Sequence, residues 1–169
     1  MRVLLAFILV ALLIFYPAAP AAAQADGATR ADFVLALWTA FGAVPYEDTA
    51  RFCDVPHNRP YTAAICWAAD LNLVRGTGDD RFAPDRPITR EEAATILRRT
   101  AEDMGQDTAI PLALADCNDR EGISPWADDA LYWATDCGVI LWSPGGLLDP
   151  QGGLSQEEVA AIFRRWISA

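Results

Sequence analysis

Lysine is absent from the 169-residue chain, so all 13 basic residues are arginine, and they face 23 acids for a formal charge of −10. A chain so acidic is ill suited to nucleic acid or to an anionic membrane surface. Any anionic ligand must be held by local arginines against an adverse overall field. There is one histidine, His57, which leaves no imidazole cluster for a metal and a single conceivable nucleophilic pair with Cys53. The adjacent carboxylates Glu91-Glu92 and Glu157-Glu158 cannot face one another on a helix, so they do not form a glycosidase pair. "DCNDREG", Asp116 to Gly122, puts Arg120 where a calcium loop needs an acid. No constellation supports an enzyme, a metal or a cofactor.

Long apolar runs are equally scarce beyond the first residues. Met1-Arg2 is a short positive start, Val3 to Tyr16 is apolar, and Ala23-Gln24-Ala25 fits a small-residue cleavage site. Residues 1–25 are read as a secretory signal peptide, leaving no membrane span after cleavage. The remaining 26–169 have the size of one compact domain.

What the chain does contain is a repeat. Residues 64–99 set against 130–165, at a constant offset of 66, give eleven identities, among them Trp67/Trp133, Pro84/Pro150, Glu92/Glu158 and Arg99/Arg165. Upstream, "RFCDV" and "ALADC" align only with a four-residue shift, pairing Asp54 with Asp116. Each unit reads as helix, loop, helix. The first helix is "YTAAICWAADLNLV" or "ADDALYWATDCGVI", and the second opens at Thr89 or Ser155.

Thr89 with Glu92, and Ser155 with Glu158, have the spacing of reciprocal capping boxes. A third second-type helix, "TRADFVLALWTAFG", begins at Thr29 with Asp32 in the box position, without a first helix before it. Apolar stripes at i, i+3, i+4, i+7 run along all three, as in Phe33, Ala36, Leu37 and Ala40. Three such helices share one core. The expected fold is all-α: helical hairpin repeats around a central three-helix bundle, divided as a truncated first repeat (26–45), a second (46–106) and a degenerate third (107–169).

Four cysteines in an exported chain suggest two disulfides. Of three connectivities, Cys53–Cys66 and Cys117–Cys137 are favoured because each pair falls within one repeat. Trp67 and Trp133 occupy equivalent places on the first helices and fit core packing. Arg90 is the puzzle: it stands in the first turn of its helix, where the dipole disfavours a cation.

The stretch from Phe52 to Arg99 resembles the S-layer homology family. Its pattern of F-x-D-V, an internal W-A, G-x-G-x-x-x-F-x-P and I-T-R-E-E is met by Phe52, Asp54, Val55, Trp67, Ala68, Gly76, Gly78, Phe82, Pro84 and Ile88 to Glu92. The resemblance implies three repeats about a pseudo-threefold axis and non-covalent, non-catalytic attachment of secreted proteins to the bacterial envelope. The implied partner is an acidic, pyruvylated cell-wall polysaccharide held in grooves between repeats. On that implication the ligand groove involves Arg90, Thr89, Glu92, Asp54, Trp67, Gly76 and Gly78, with Arg30 at a second groove.

Arg90 would then reinforce a helix N-terminus that attracts a carboxylate. Gln156 replaces the arginine in the third copy, and Trp142 and Pro144 replace the two glycines, which argues against a third groove. The alternative is a degenerate module that docks on an envelope protein or a second copy through Trp126, Trp142 or the face left open by the missing hairpin.

Overall fold

The computed structural model describes residues 27–49, 51–110 and 117–168. The expected signal peptide, residues 1–25, and the Leu114–Asp116 stretch lie outside them. Five α-helices follow in order: α1 (Arg30–Ala40), α2 (Thr62–Asp70), α3 (Arg90–Asp103), α4 (Asp128–Asp136) and α5 (Gln156–Ser168), with a 3₁₀ turn at Arg120–Gly122. The described residues contain no strand, only isolated bridges. The chain is all-α, as the sequence implied.

All three capping boxes form. Thr29 and Asp32, Thr89 and Glu92, and Ser155 and Glu158 each exchange side-chain and backbone hydrogen bonds, at 2.8 and 3.1 Å in the last pair. Each box satisfies amide donors that the first helical turn leaves without partners. The preceding residues Ala28, Ile88 and Leu154 are buried, as are Phe33, Ala93 and Val159 four positions into each helix. The small Ala28 faces the large Phe33, whereas Ile88 faces Ala93, so volume is exchanged across the staple.

The first-type helices are shorter than the sequence suggested. α2 stops at Asp70 because Asn72 turns left-handed (φ 58°), and α4 stops at Asp136 because Gly138 does so (φ 68°). Leu73 N–H and Val139 N–H close these ends on Ala68 O (2.9 Å) and Ala134 O (3.0 Å). The chain then folds Leu73, Val74, Val139 and Ile140 back into the core.

Packing corrects the expected hairpin unit. α2 lies on α1, and α4 on α3, so each first-type helix covers the preceding second-type helix rather than the following one. α1 and α5 lie against each other, with Phe33 and Phe163 at 5.2 Å between ring centroids.

The three helix starts meet as a closed ring. Ala28 N–H donates to Leu154 O (2.7 Å), Leu154 N–H to Ile88 O (3.2 Å), and Ile88 N–H to Ala28 O (3.0 Å). The bridges Thr29↔Pro87, Thr89↔Gly153 and Gly27↔Ser155 repeat the same cyclic order. One continuous apolar core runs beneath this ring.

Two aspartates pin the loops that feed it. Asp54 accepts from the N–H groups of Phe82 and Ala83, both at 2.8 Å. Asp119 does the same for Leu148 (2.9 Å) and Asp149 (2.6 Å). The counterpart of Asp54 is therefore Asp119 and not Asp116; the shift assumed in the sequence placed it three residues early.

The expected disulfides are absent. All four cysteines are free thiols. Cys53 donates to Asp79 O at 3.8 Å on the exposed side of its turn, while Cys66 is buried on α2. Cys117 lies 3.3 Å from Tyr132 Oη, and Cys137 is exposed at the end of α4.

Candidate functional site

Arg90 answers its own puzzle differently from the expectation. Its side chain is buried, with the residue 5% exposed, and it does not face solvent as a ligand arm. Nε donates to Leu148 O at 2.8 Å, Nη2 donates to Leu141 O, and Nη1 lies 3.9 Å from Glu158. Arg30 repeats the arrangement one unit earlier. Nε donates to Phe82 O (3.0 Å), Nη2 to Arg75 O (3.1 Å) and Nη1 to Glu92 (3.0 Å), with the guanidinium 4.6 Å over the Phe82 ring. Each arginine clamps the loop of the next unit by its carbonyls.

The helix N-termini are likewise occupied. Arg90 N–H donates to Gly152 O (2.9 Å) and Glu91 N–H to Pro150 O (3.1 Å), while Glu92 N–H is capped by Thr89 Oγ1. Arg30 and Ala31 do the same with Arg86 O and Pro84 O. These amides are not free to receive an anion. Burial holds both arginines below the ordinary arginine range; Glu92, and for Arg90 Glu158, oppose it. The adverse dipole term is thus met by carbonyls and a carboxylate from a neighbouring unit.

The candidate ligand surface lies beside the Arg30 clamp. A cleft of about 450 Å³ opens between the Val74–Thr77 loop and α3, with Arg30 and Glu92 at its floor and Trp126 at one wall. Arg75 and Arg99 line it. Arg99 donates only to Leu73 O at 3.5 Å, and Arg75 is exposed. Among the described residues neither is ion-paired, since Glu102 is taken by Arg98 at 3.1 Å. Burial, then the nearby like charge of Arg75, push the Arg99 guanidinium down. Two guanidiniums without a direct ion-pair partner, beside an exposed aromatic, can receive a carboxylate bidentately and stack a sugar ring.

A second cleft of about 240 Å³ lies beside the Arg90 clamp. It matches the first position by position at the 66-residue offset: Leu141 for Arg75, Trp142 for Gly76, Ser143 for Thr77, Arg165 for Arg99. Beyond the clamping arginine it keeps one lining cation where the first has two, and no counterpart of Trp126 lines it. Of these two clefts, the larger and more cationic is the one at Arg30.

Of the residues expected at a ligand groove, Arg30, Gly76 and Glu92 come together in the first cleft. Arg90 belongs to the second. Thr89 caps α3, Asp54 pins a loop, and Gly78 (φ 114°) makes a turn. Trp67 is buried against Phe41 at 5.7 Å between centroids, so it serves the core. Sequence reasoning missed Arg75 and Arg99, and named Trp126 as a docking residue and not as part of a ligand cleft. The pair Arg99/Arg165 was visible in the sequence only as an identity in the repeat; Arg75 had no repeat partner to mark it. No group of three or more histidine, cysteine, aspartate or glutamate side chains among the described residues could hold a metal.

Loop-clamped helix starts in cyclic order, with a cleft beside each arginine clamp, define the architecture. Residues 51–94 match the family model of the S-layer homology domain, and the chain carries such a domain there. It is 28% identical over 135 residues (80% of this chain, 12% of the relative) to the exoglucanase XynX of Acetivibrio thermocellus. It is 30% identical over 124 residues (72% and 10%) to the surface-layer 125 kDa protein of Lysinibacillus sphaericus. It is 27% identical over 122 residues (70% and 26%) to a cellulosome-anchoring protein of A. thermocellus. The chain spans about a quarter or less of the length of these relatives.

Proposed function

We propose that the chain is a secreted, non-catalytic module that attaches non-covalently to the cell envelope by binding an acidic cell-wall polysaccharide. Relatives named as cell-surface, surface-layer and cellulosome-anchoring proteins support the envelope location. Enzyme names occur only among relatives of which this chain spans a small part, 12% of one and 7% of another. The observation that carries the reading is the pair Arg75 and Arg99, unpaired, in a cleft walled by Trp126. A carboxylate on the glycan, such as a pyruvyl ketal, bridges the two guanidiniums while the sugar lies on the indole. The cyclic ring of helix starts supports a pseudo-threefold set of repeats with boundaries near 45 and 106, preceded by a cleaved leader over 1–25.

Cosedimentation with purified acidic wall polysaccharide, before and after removal of pyruvate ketals, tests this. Binding should fall at least about tenfold on ketal removal and with Arg99→Ala or Arg75→Ala, each loss being worth roughly 1.4 kcal/mol or more. Binding that is indifferent to both arginines overturns the reading.

A further inference from the structure

α3 and α5 share a sequence pattern but not a surface. Ala94 and Ala101 of α3 are fully buried, yet Ala160 and Ile167, their counterparts in α5, are exposed, Ile167 at 69%. Glu91 is buried and its counterpart Glu157 is exposed. The difference is a covering helix. Ser124 donates from its N–H and its Oγ to the Glu91 carboxylate at 3.0 and 2.9 Å. Arg98 Nη1 lies 3.5 Å from Asp129, and α4 runs along α3 between these anchors. α2 covers α1 in the same way. No helix among the described residues covers this face of α5, although it keeps both anchors, as Glu157 and Arg164, with Ala160 between them and Ile167 beyond Arg164.

We infer that this face of α5 is a docking surface for a helix from another chain. Its chemistry is set by what α3 already holds. The incoming segment has a hydroxyl residue whose N–H and O–H donate to Glu157. Five residues later it has a carboxylate for Arg164, and a face of small residues and one tryptophan lies on Ala160 and Ile167. The face is complementary in charge, since Arg164 stands where Arg98 meets Asp129 on α3 and favours an acidic helix start of the kind Asp128-Asp129 provides. The same occupant completes the second cleft. In the first cleft Trp126, two residues after Ser124, forms a wall; beside Arg90 and Arg165 that wall is missing. A docked helix with an aromatic residue at that point supplies it. This inference stands independently of any glycan binding.

The probe is a fluorescein-labelled peptide of residues 120–136, the chain's own α4 with its Ser124 entry, titrated against the purified protein by anisotropy. Saturable binding in the micromolar range is expected. Ala160→Glu, a change at an exposed position, should weaken it at least about tenfold. Glu157→Gln should weaken it severalfold, and Arg99→Ala should leave it unchanged. Absence of saturation up to about millimolar peptide, or binding insensitive to Ala160→Glu, overturns the proposal. So does sedimentation showing a dimer that Ala160→Glu dissociates while the peptide fails to compete, because the face then belongs to a second copy's α5.

Discussion

Gln156 donates from Nε2 to Asp32 Oδ2 at 2.8 Å, joining two residues 124 positions apart in the chain. It is the third member of a set whose other members are Arg30 with Glu92 and Arg90 with Glu158. In each, the first helical residue of one unit reaches the capping-box acid of another. Only the two arginines also clamp buried loop carbonyls.

That asymmetry separates two substitutions. Arg90→Ala or Arg30→Ala leaves carbonyls and a carboxylate without their donor and should cost about 3 kcal/mol of unfolding free energy. Gln156→Ala, at an exposed position, should cost under about 1 kcal/mol. Urea unfolding of the three variants measures both, and equal costs would refute the clamp.

Asp54 sets an acid limit on stability. Burial works to raise its pKa, but the N–H groups of Phe82 and Ala83 outweigh burial and hold the carboxyl below its ordinary value. A carboxylate so held stabilises the fold above the unfolded value, about 4, and loses that contribution as pH falls through the lower folded value. Asp54→Asn should therefore cost roughly 1.5–3 kcal/mol at neutral pH. The stability difference from the parent should shrink below about pH 4, as read from denaturant midpoints across the acid range.

Glu91 and Glu157 form a matched pair for mutation. Glu91→Ala removes the acceptor for both Ser124 donors in a buried setting. It should destabilise by about 2 kcal/mol and loosen the Trp126 wall, lowering affinity for acidic glycan. Glu157→Ala should leave the thermal midpoint of the isolated protein where it was. Calorimetry on both decides whether Ser124 holds α4 on α3.

Gly76 is required by a close approach. A Cβ there would sit 2.6 Å from Arg81 O and 3.0 Å from Phe52 Cε1, so the loop or the ring must move. Gly76→Ala should cost about 1–3 kcal/mol and displace the cleft rim that carries Arg75, weakening glycan binding. An unchanged melting midpoint would contradict the tight packing of this turn.

Local chemistry was legible in the sequence. The capping boxes at Thr29, Thr89 and Ser155 depend on groups three residues apart, so their spacing announced three helix starts, and the apolar stripes announced an all-α core. The clefts were less so. Arg90 reads as an exposed cation in a first turn because its true partners, Leu141 and Leu148 carbonyls, lie 51 and 58 positions away. Backbone acceptors leave no trace in side-chain identity, which is also why the role of Arg30 was missed. Trp126 and Arg99 belong to different repeats and become neighbours only when α4 lies on α3.

The cysteines show the same divide. Shared repeat membership suggested pairs, while in the structure all four thiols are free, Cys53 on an exposed turn and Cys66 on the buried face of α2. Sequence alone determined helix starts, caps and the repeat period, all governed by contacts within a turn or two. Tertiary structure decided which helix covers which, which arginines are buried as clamps, and which remain free for a ligand. Those outcomes rest on hydrogen bonds to distant carbonyls and on burial that no single segment can supply.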